Sequence, residues 1–507
     1  MPMFLLRVEG VNLASVIDDT DDLSTRRGGG LMVLNAARQL RETLPKAIRE
    51  RLTLIAQGAS IGLFQFEAGD DDEAEQIAGA VREHLSTGTL EYKEGNATRH
   101  LPLKHGTFVV DVAAVGDRPA AAVQRATARN RWRQMRGPTV ALDGLWVDEP
   151  LGCCAYDFAR PAVVTIHQAE GKKATVSRSV AERRDYGRLA RQTFYQDEAG
   201  APKDLPFTDD LKSLSGGAGL DEEGKTHAPS NTHDKIAVFY VDGNQFGKRG
   251  REFLETGGTH KFKEWSRALE DHHKALLRQL IERVQNQPGW WNRQKRCIRL
   301  ETLLWGGDEI LWVVPAWKGW ELVEWFFGQD HKVSIDGEDV SLSYGCGLVF
   351  CHVKAPIQNI IRLARDLGDA AKDVGREHNQ HRLAYEVMES FDDVTGDLGE
   401  HRARFLPRGV PVSELVFDPA RGPEFWNALR DIARAEDFPM RQLYRLNALW
   451  RDGEAGAETR SCEARLRASE AGRAVEGFLR QLGDRPVAWL HLLQMLPYLP
   501  TAPEATR

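Results

Sequence analysis

Two short segments carry side chains that could do chemistry together. Tyr240-Val241-Asp242-Gly243-Asn244 sets a carboxylate at the end of an apolar run, Ile236 to Val241. Asp is a poor strand former, so an acid there needs a reason beyond the fold. Leu304-Trp305-Gly306-Gly307-Asp308-Glu309-Ile310-Leu311 sets two carboxylates between two apolar runs, behind a glycine pair. The glycines supply the positive φ of a tight hairpin and leave room for a phosphate or base to approach the backbone. Carboxylates brought together repel unless a cation stands between them. Hard oxygen ligands suit Mg²⁺ or Mn²⁺. Two such ions roughly 4 Å apart activate an attacking hydroxyl and stabilise a leaving pyrophosphate. Asp242, Asp308 and Glu309 are therefore the expected catalytic and metal-binding residues. The bland alternative is a turn that merely reverses the chain, with Asp242 as a strand-end cap.

For these acids to meet, their elements must be neighbours. Lys235–Val241 reads as a strand, 262–284 as a helix, 298–314 as a hairpin, 319–327 as a helix, 341–352 as a strand and 356–374 as a helix. This is the ferredoxin-like β-α-β-β-α-β order with a trailing helix, in which the first strand lies beside the third. The trailing helix offers Lys372, within reach of a triphosphate, among Arg362, Arg365 and Arg376, although the interspersed Asp366, Asp369 and Asp373 equally suit a solvated face.

The same order occurs earlier: strand 4–8, helix 31–40, hairpin 52–66, helix 73–85, strand 107–115 and helix 120–135. An internal repeat of this size reorganises the whole reading. The expected fold class is α+β: a palm at 1–150, a linker at 151–234, a second palm at 235–399 and a helical bundle at 400–507. The linker looks partly ordered to 195 and flexible from 196. Candidate bundle helices are 425–435, 440–451, 466–482 and 487–496. At 507 residues, with 28% charged and 42% hydrophobic residues, the chain reads as soluble and multidomain. Its apolar runs are too short to span a bilayer and its first residues lack a signal-peptide pattern, so a cytoplasmic location without membrane contact is expected. A net charge of −7 argues against a general nucleic-acid coat.

These residues resemble the palm-domain large subunit of type III CRISPR effector complexes. That family carries a D-G-D/N-x-φ-G-K strand end, a G-G-D-D/E hairpin, an S-x-G strand and a Pro-led helix with an Ala-Lys pair. Here they read Asp242 to Lys248, Gly306 to Glu309, Ser343-Tyr344-Gly345-Cys346-Gly347, Pro356 and Ala371-Lys372. The resemblance implies synthesis of cyclic oligoadenylates from ATP in CRISPR-type antiviral defence. It implies nucleotide contacts from Gly243, Asn244, Phe246, Gly247, Lys248, Gly306, Gly307, Ser343 and Lys372, and RNA or other effector subunits as partners. Glu309 departs from the commoner Asp. The family's HD nuclease domain is expected to be absent, as in a divergent or stand-alone form. The adjacent Cys153 and Cys154, with no second pair nearby, suggest a zinc-ribbon remnant without metal.

The first palm reads as degenerate. Glu9 stands for Asp242, and Gly58-Ala59-Ser60-Ile61 stands for Gly306 to Glu309. Its expected role is to hold the acceptor nucleotide, with the two hairpin tips facing across a cleft. The arginines at 125–136 read better as a solvated helix face than as a phosphate or RNA contact, the basic stretch at 178–191 is explained equally well by ordinary helix charge, His272, His273, His378 and His381 read as surface residues, and Cys346 and Cys351 as core. Two rival functions are a diguanylate-cyclase-like enzyme and a non-catalytic scaffold or nucleotide-sensing subunit. Ile310 after the turn and the absence of an Arg-x-x-Asp motif before it argue against the first; the intact acids argue against the second.

Overall fold

The computed structural model describes residues 1–137, 151–167, 171–216, 228–285, 287, 289–292, 294, 296–389 and 398–500. Its first sheet is built on β1 (Met3–Val11), buried along nearly its whole length. Alternate residues serve opposite faces. Phe4, Leu6 and Val8 pack with helices α1 (Leu23–Arg38) and α2 (Asp71–Thr87), while Leu5 packs with Ala122 and Ala126 of α3 (Pro119–Arg136). The hairpin β2 (Thr53–Gln57) and β3 (Ile61–Glu67) lies on one side of β1, and β6 (Thr107–Ala114) on the other. Between α2 and β6 a polar hairpin is inserted, β4 (Thr89–Glu94) and β5 (Ala97–Pro102).

The second sheet repeats the plan. Its central strand is β9 (Lys235–Gly243), flanked by β11 (Glu309–Pro315) and β14 (Tyr344–His352). β10 (Glu301–Gly306) completes the hairpin. Ala237, Phe239 and Val241 face α5 (Phe246–Gln285) and α6 (Gly319–Phe327). Ile236, Val238 and Tyr240 face α7 (Ile357–Gly375). A short hairpin, β12 (Lys332–Ile335) and β13 (Glu338–Ser341), again separates the second helix from the fourth core strand. A fifth strand, β15 (Arg382–Val387), runs parallel to β14 and was not expected. The α5 helix starts sixteen residues before the expected Phe262, because its pattern is broken by a non-helical Gly258. Cys346 and Cys351 lie in the core.

The region expected as a linker contains a hairpin, β7 (Val164–His167) and β8 (Lys173–Val176), followed by a 22-residue helix, α4 (Arg178–Ala199), wedged between the palms. It crosses α1 at Gly28 and Gly187, where a Cβ on Gly28 would fall 1.8 Å from the Arg183 carbonyl oxygen. Arg178 and Arg188 are exposed, but the arginines between and after them are drawn inward. Arg183 is fully buried and pairs with Asp19 at 2.7 Å, and Arg191 donates to the Thr208 carbonyl. Those at 125–136 lie on an exposed face as expected, Arg125, Arg129, Arg131 and Arg136 being open to solvent, with Arg125 donating to the Ala114 carbonyl at 2.7 Å and Arg133 to Asp111 at 2.6 Å. The C-terminal region is helical, with helices at Pro423–Arg434, Met440–Arg451, Ala457–Arg467, Gly472–Leu482 and Pro486–Met495. Among the described residues no helix is long and apolar enough to cross a membrane.

The palms face each other about a pseudo-two-fold axis. Helix α1 of the first lies on β10 of the second, where Arg27 Nε donates to Glu301 Oε1 at 2.7 Å with both side chains buried. Reciprocally, α5 of the second lies on β2 of the first, where Gln57 Nε2 donates to Glu270 Oε2 at 2.7 Å. Each first helix thus crosses the other palm's hairpin.

Candidate active site

The acids are positioned by strand register. Asp242 stands opposite Glu309 on one side and Gly345 on the other. The hairpin is closed by Gly306 at φ 126° and Gly307 at φ 66°, backbone that favours glycine. The Gly243 amide donates to the Asp308 carbonyl at 3.0 Å, fixing the turn beside the strand end. Lys372 reaches Asp242 from α7, with Nζ 2.5 Å from Oδ2. Its stem passes over Gly345, where a Cβ would fall 2.2 Å from Lys372 Cγ. Tyr240, two residues before Asp242 and so on the same face, donates to Glu309 Oε1 at 2.6 Å.

Burial pushes the Asp242 carboxyl up to about 7, with the Asp308 charge adding to the effect and Lys372 opposing it. Asp308 is raised by burial and then by Glu309. Tyr240 is raised by burial and by the charges of Glu309 and Asp242. Such a site has an excess of buried negative charge, which a divalent cation would relieve. The hard carboxylate oxygens of Asp242 and Asp308 fit Mg²⁺ or Mn²⁺. The expected third acid is engaged elsewhere: Glu309 is held by Tyr240, and among the described residues no three His, Cys, Asp or Glu side chains gather as a ligand set.

Asn244 and Ser343, expected to touch nucleotide, are buried instead, while Phe246, also buried, lines a cavity beside the hairpin tips. Asn244 Nδ2 donates to Ser343 Oγ and to the Gln380 carbonyl, each at 3.0 Å, and Ser343 Oγ donates to Asn379 Oδ1 at 2.9 Å. They brace the loop after Asp242. Phe246 packs on Trp265 and Tyr344. Gly243 is required there, since its Cβ would fall 2.4 Å from the Phe246 ring. Gly247 and Lys248 are exposed at the start of α5, Lys248 beside Glu252 at 3.9 Å.

Sequence reasoning passed over Tyr240, although period two places it beside Asp242. Of the histidines expected at the surface, His378 is exposed, His272 and His381 are half-buried, and His273 is buried. His273, buried, lies 3.1 Å from Tyr344 Oη, and His272 lies 3.3 Å from His331. His381 accepts from the Tyr344 amide at 3.3 Å. These rings pack behind the Gly-Gly-Asp-Glu hairpin, drawn in by Phe326 and Tyr344.

The first palm has a matching but altered constellation. The Gly10 amide donates to the Ser60 carbonyl at 2.8 Å, as Gly243 does to Asp308. Glu9 stands opposite Ile61, as Asp242 stands opposite Glu309. Glu9 pairs with Arg131 of the trailing helix at 2.8 Å and with Arg7. One acid thus faces two arginines, where the second palm has three acids near one lysine.

The two hairpin tips touch directly, without the expected cleft between them. A Cβ on Gly306 would fall 2.9 Å from Ala59 Cα. Beside the contact lies a cavity of 580 Å³ whose wall includes Gly58, Ile61, Phe246, Arg251, Trp265 and Asp308. Its volume is in the range of small-ligand pockets.

Residues 235–380 match the family described as Cas10/Cmr2, second palm domain. Among solved structures, the chain is similar to a Csm1–Csm4 cassette in complex with pppApApA, at 14% identity and a TM-score of 0.55, over 99% of this chain and 70% of that one. A Csm1–Csm4 cassette in complex with cA3 is similar at 14% identity and 0.53, over 98% and 69%. One in complex with cA4 is similar at 13% and 0.52, over 99% and 70%. No curated protein matches the chain. Residues 235–380 thus match a Cas10/Cmr2-type second palm, and the chain as a whole shares the fold of the chains matched in these Csm1–Csm4 cassettes.

Proposed function

We propose that this chain is a metal-dependent nucleotidyltransferase that joins ATP into cyclic oligoadenylates within a type III CRISPR-like antiviral system. The observation that carries the reading is the half-buried pair Asp242 and Asp308, negative in excess, at the tip of a palm pressed against a second palm. Asp242 and Asp308 would hold the cation, and Glu309, once released by Tyr240, would complete the set. Bound there, Mg²⁺ or Mn²⁺ would lower the pKa of an attacking 3′-hydroxyl and neutralise charge on the leaving pyrophosphate. Lys372 supplies a mobile ammonium that can pass from Asp242 to a phosphate oxygen. Gly306 and Gly307 let the backbone come close to phosphate, while Gly243, Asn244, Phe246 and Ser343 keep Asp242 in place. Gly247 and Lys248 open onto solvent beside the cavity and would meet the incoming nucleotide.

In this reading 1–150 is the degenerate palm, 235–399 the catalytic palm and 400–507 the helical domain. The cavity beside the touching tips is the seat of the second nucleotide. Holding both nucleotides in line is worth about 7–11 kcal/mol of the barrier. The similar solved chains were captured with ATP, with linear pppApApA and with cA3 or cA4, which supports adenine as the base and a ring as the product. They also sit in a cassette with Csm4, which supports a second effector subunit as partner. The test is incubation of the purified protein with each labelled nucleoside triphosphate and Mg²⁺ or Mn²⁺, with products identified by mass spectrometry. Phosphatase-resistant adenylate rings are expected. Products made only from GTP, or incorporation that requires an added template strand, would overturn the reading.

A further inference from the structure

A second cavity, of 400 Å³, lies where the catalytic palm meets the C-terminal helices. Three guanidinium groups line it: Arg382 from β15, Arg421 from the loop before the helix Pro423–Arg434, and Arg485 from the start of the helix Pro486–Met495. Two carboxylates stand against them. Glu414 takes Arg485 at 2.6 Å, and Asp418 lies 4.0 Å from Arg382 while accepting from the Ala420 amide at 2.9 Å. Arg421 forms no ion pair among the described residues. Its Nη1 donates to the Gln481 carbonyl, and its Nε is buried with no hydrogen-bond partner. Burial pushes the Arg421 guanidinium down, with Asp418 opposing and Arg382 adding to the effect, and His491, also on the cavity wall, is driven down to about 3 by burial and then by Arg402, Arg421 and Arg485. Three guanidinium groups from independent elements converge on one space against two carboxylates, which leaves one positive charge in excess, at Arg421.

Val416, Phe417, Leu482 and Val487 form the apolar part of the wall, beside Ser413 and Gln380. Forked guanidinium groups suit a phosphate, which can accept from several of them at once. An apolar floor of this size suits a base. We infer that this cavity is an accessory site for a nucleoside phosphate, distinct from the catalytic tip. The site has a direct route to the catalytic loop. Arg382 Nη2 donates to Gln380 Oε1, and the Gln380 carbonyl accepts from Asn244, which braces the loop after Asp242. A phosphate that draws Arg382 toward the cavity would release Gln380 and change how that loop is held.

The test uses AMP and the full chain without divalent cation, so that metal-assisted binding at the catalytic tip is suppressed. Calorimetry should detect AMP binding that Arg421→Ala and Arg485→Ala each weaken about tenfold or more, the loss expected for a charge-assisted hydrogen bond. Arg485 is half exposed, so its variant should keep the wild-type melting temperature and guard against misreading an unfolded Arg421 variant. Hydrogen exchange should show AMP protecting 413–421 and 482–491. Adenosine should bind at least tenfold more weakly than AMP. The inference is overturned if both variants bind AMP like the wild type, if protection is confined to 243–248 and 306–309, if adenosine binds as well as AMP, or if an oligoribonucleotide binds there while AMP does not.

Discussion

The two palms have the same backbone and opposite electrostatics. Glu9 and Asp242 end the same strand, and Ser60 and Asp308 accept the same amide hydrogen bond. Glu9 is neutralised by Arg7 and Arg131, so its site is closed and needs nothing more. Asp242 faces Asp308 and Glu309 with Lys372 alone to offset them, so its site is frustrated until a cation arrives. A fold can therefore keep a site's geometry while one palm exchanges function for stability. The difference lies in charges, not in the path of the chain.

The largest expected effect breaks the frustrated site. Asp242→Ala should lower turnover by about 10³-fold or more, and Lys372→Ala by about 10–100-fold, in steady-state assays at matched Mg²⁺. Wild-type rates in a folded Asp242→Ala protein would remove the site. A second pair of variants sharpens the contrast, because the same change should have opposite signs in the two palms. Glu9→Gln leaves Arg7 buried without its charge and should cost about 3 kcal/mol in urea unfolding. Asp242→Asn should gain about 1–2 kcal/mol at pH 8 without divalent cation. The sign follows from linkage: the folded Asp242 carboxyl titrates near 7, above its unfolded value, so its deprotonation weakens the fold as pH rises through 7. Equal and same-signed effects would mean that the two strand ends are electrostatically alike.

Much of this was legible in the sequence, for reasons that differ by element. The Gly-Gly-Asp-Glu hairpin and the acid at the strand end stand out because apolar runs rarely end in carboxylates. The repeat was visible because each palm buries alternating strand residues. The helix 178–199 was obscured, since its contacts are glycines and arginines whose partners, Gly28 and Asp19, lie far away in sequence. The inserted hairpins 89–102 and 332–341 are largely polar and carry little hydrophobic signal, yet their matching positions extend the repeat. The roles of Asn244 and Ser343 were missed because spacing does not say which way a loop side chain turns.

Acid separates the palms further. Burial holds His273 and His331 down to about 3 and His381 down to about 4, and the described residues of the first palm contain no such cluster. Folded pKa values below the unfolded value of about 6.5 mean that the unfolded chain binds more protons, so stability falls as pH drops below 6.5. In an Asp242→Asn background, where the opposing titration of Asp242 is removed, a loss of about 2 kcal/mol between pH 7 and pH 5 is expected, reduced by His273→Gln, with proteolysis at pH 5 cutting within 235–389 before 1–137. Cleavage in the reverse order would contradict it. The smallest expected effects concern the tips. Gly306→Ala should cost about 1–2 kcal/mol through its positive φ and its approach to Ala59. Gly58→Ala, whose Cβ would meet Gly307 at an ordinary 3.7 Å, should stay within about 0.5 kcal/mol in the same melts.

The most direct measurement places the first palm's residue in the second. Wild type and Asp308→Ser are incubated with ATP and Mn²⁺, treated with phosphatase and analysed by mass spectrometry. Phosphatase-resistant cyclic adenylates from the wild type, and none from a folded Asp308→Ser protein, are expected. Equal ring formation by both proteins, or wild-type products that phosphatase degrades as linear chains, would contradict the assignment of cyclase chemistry to this one palm.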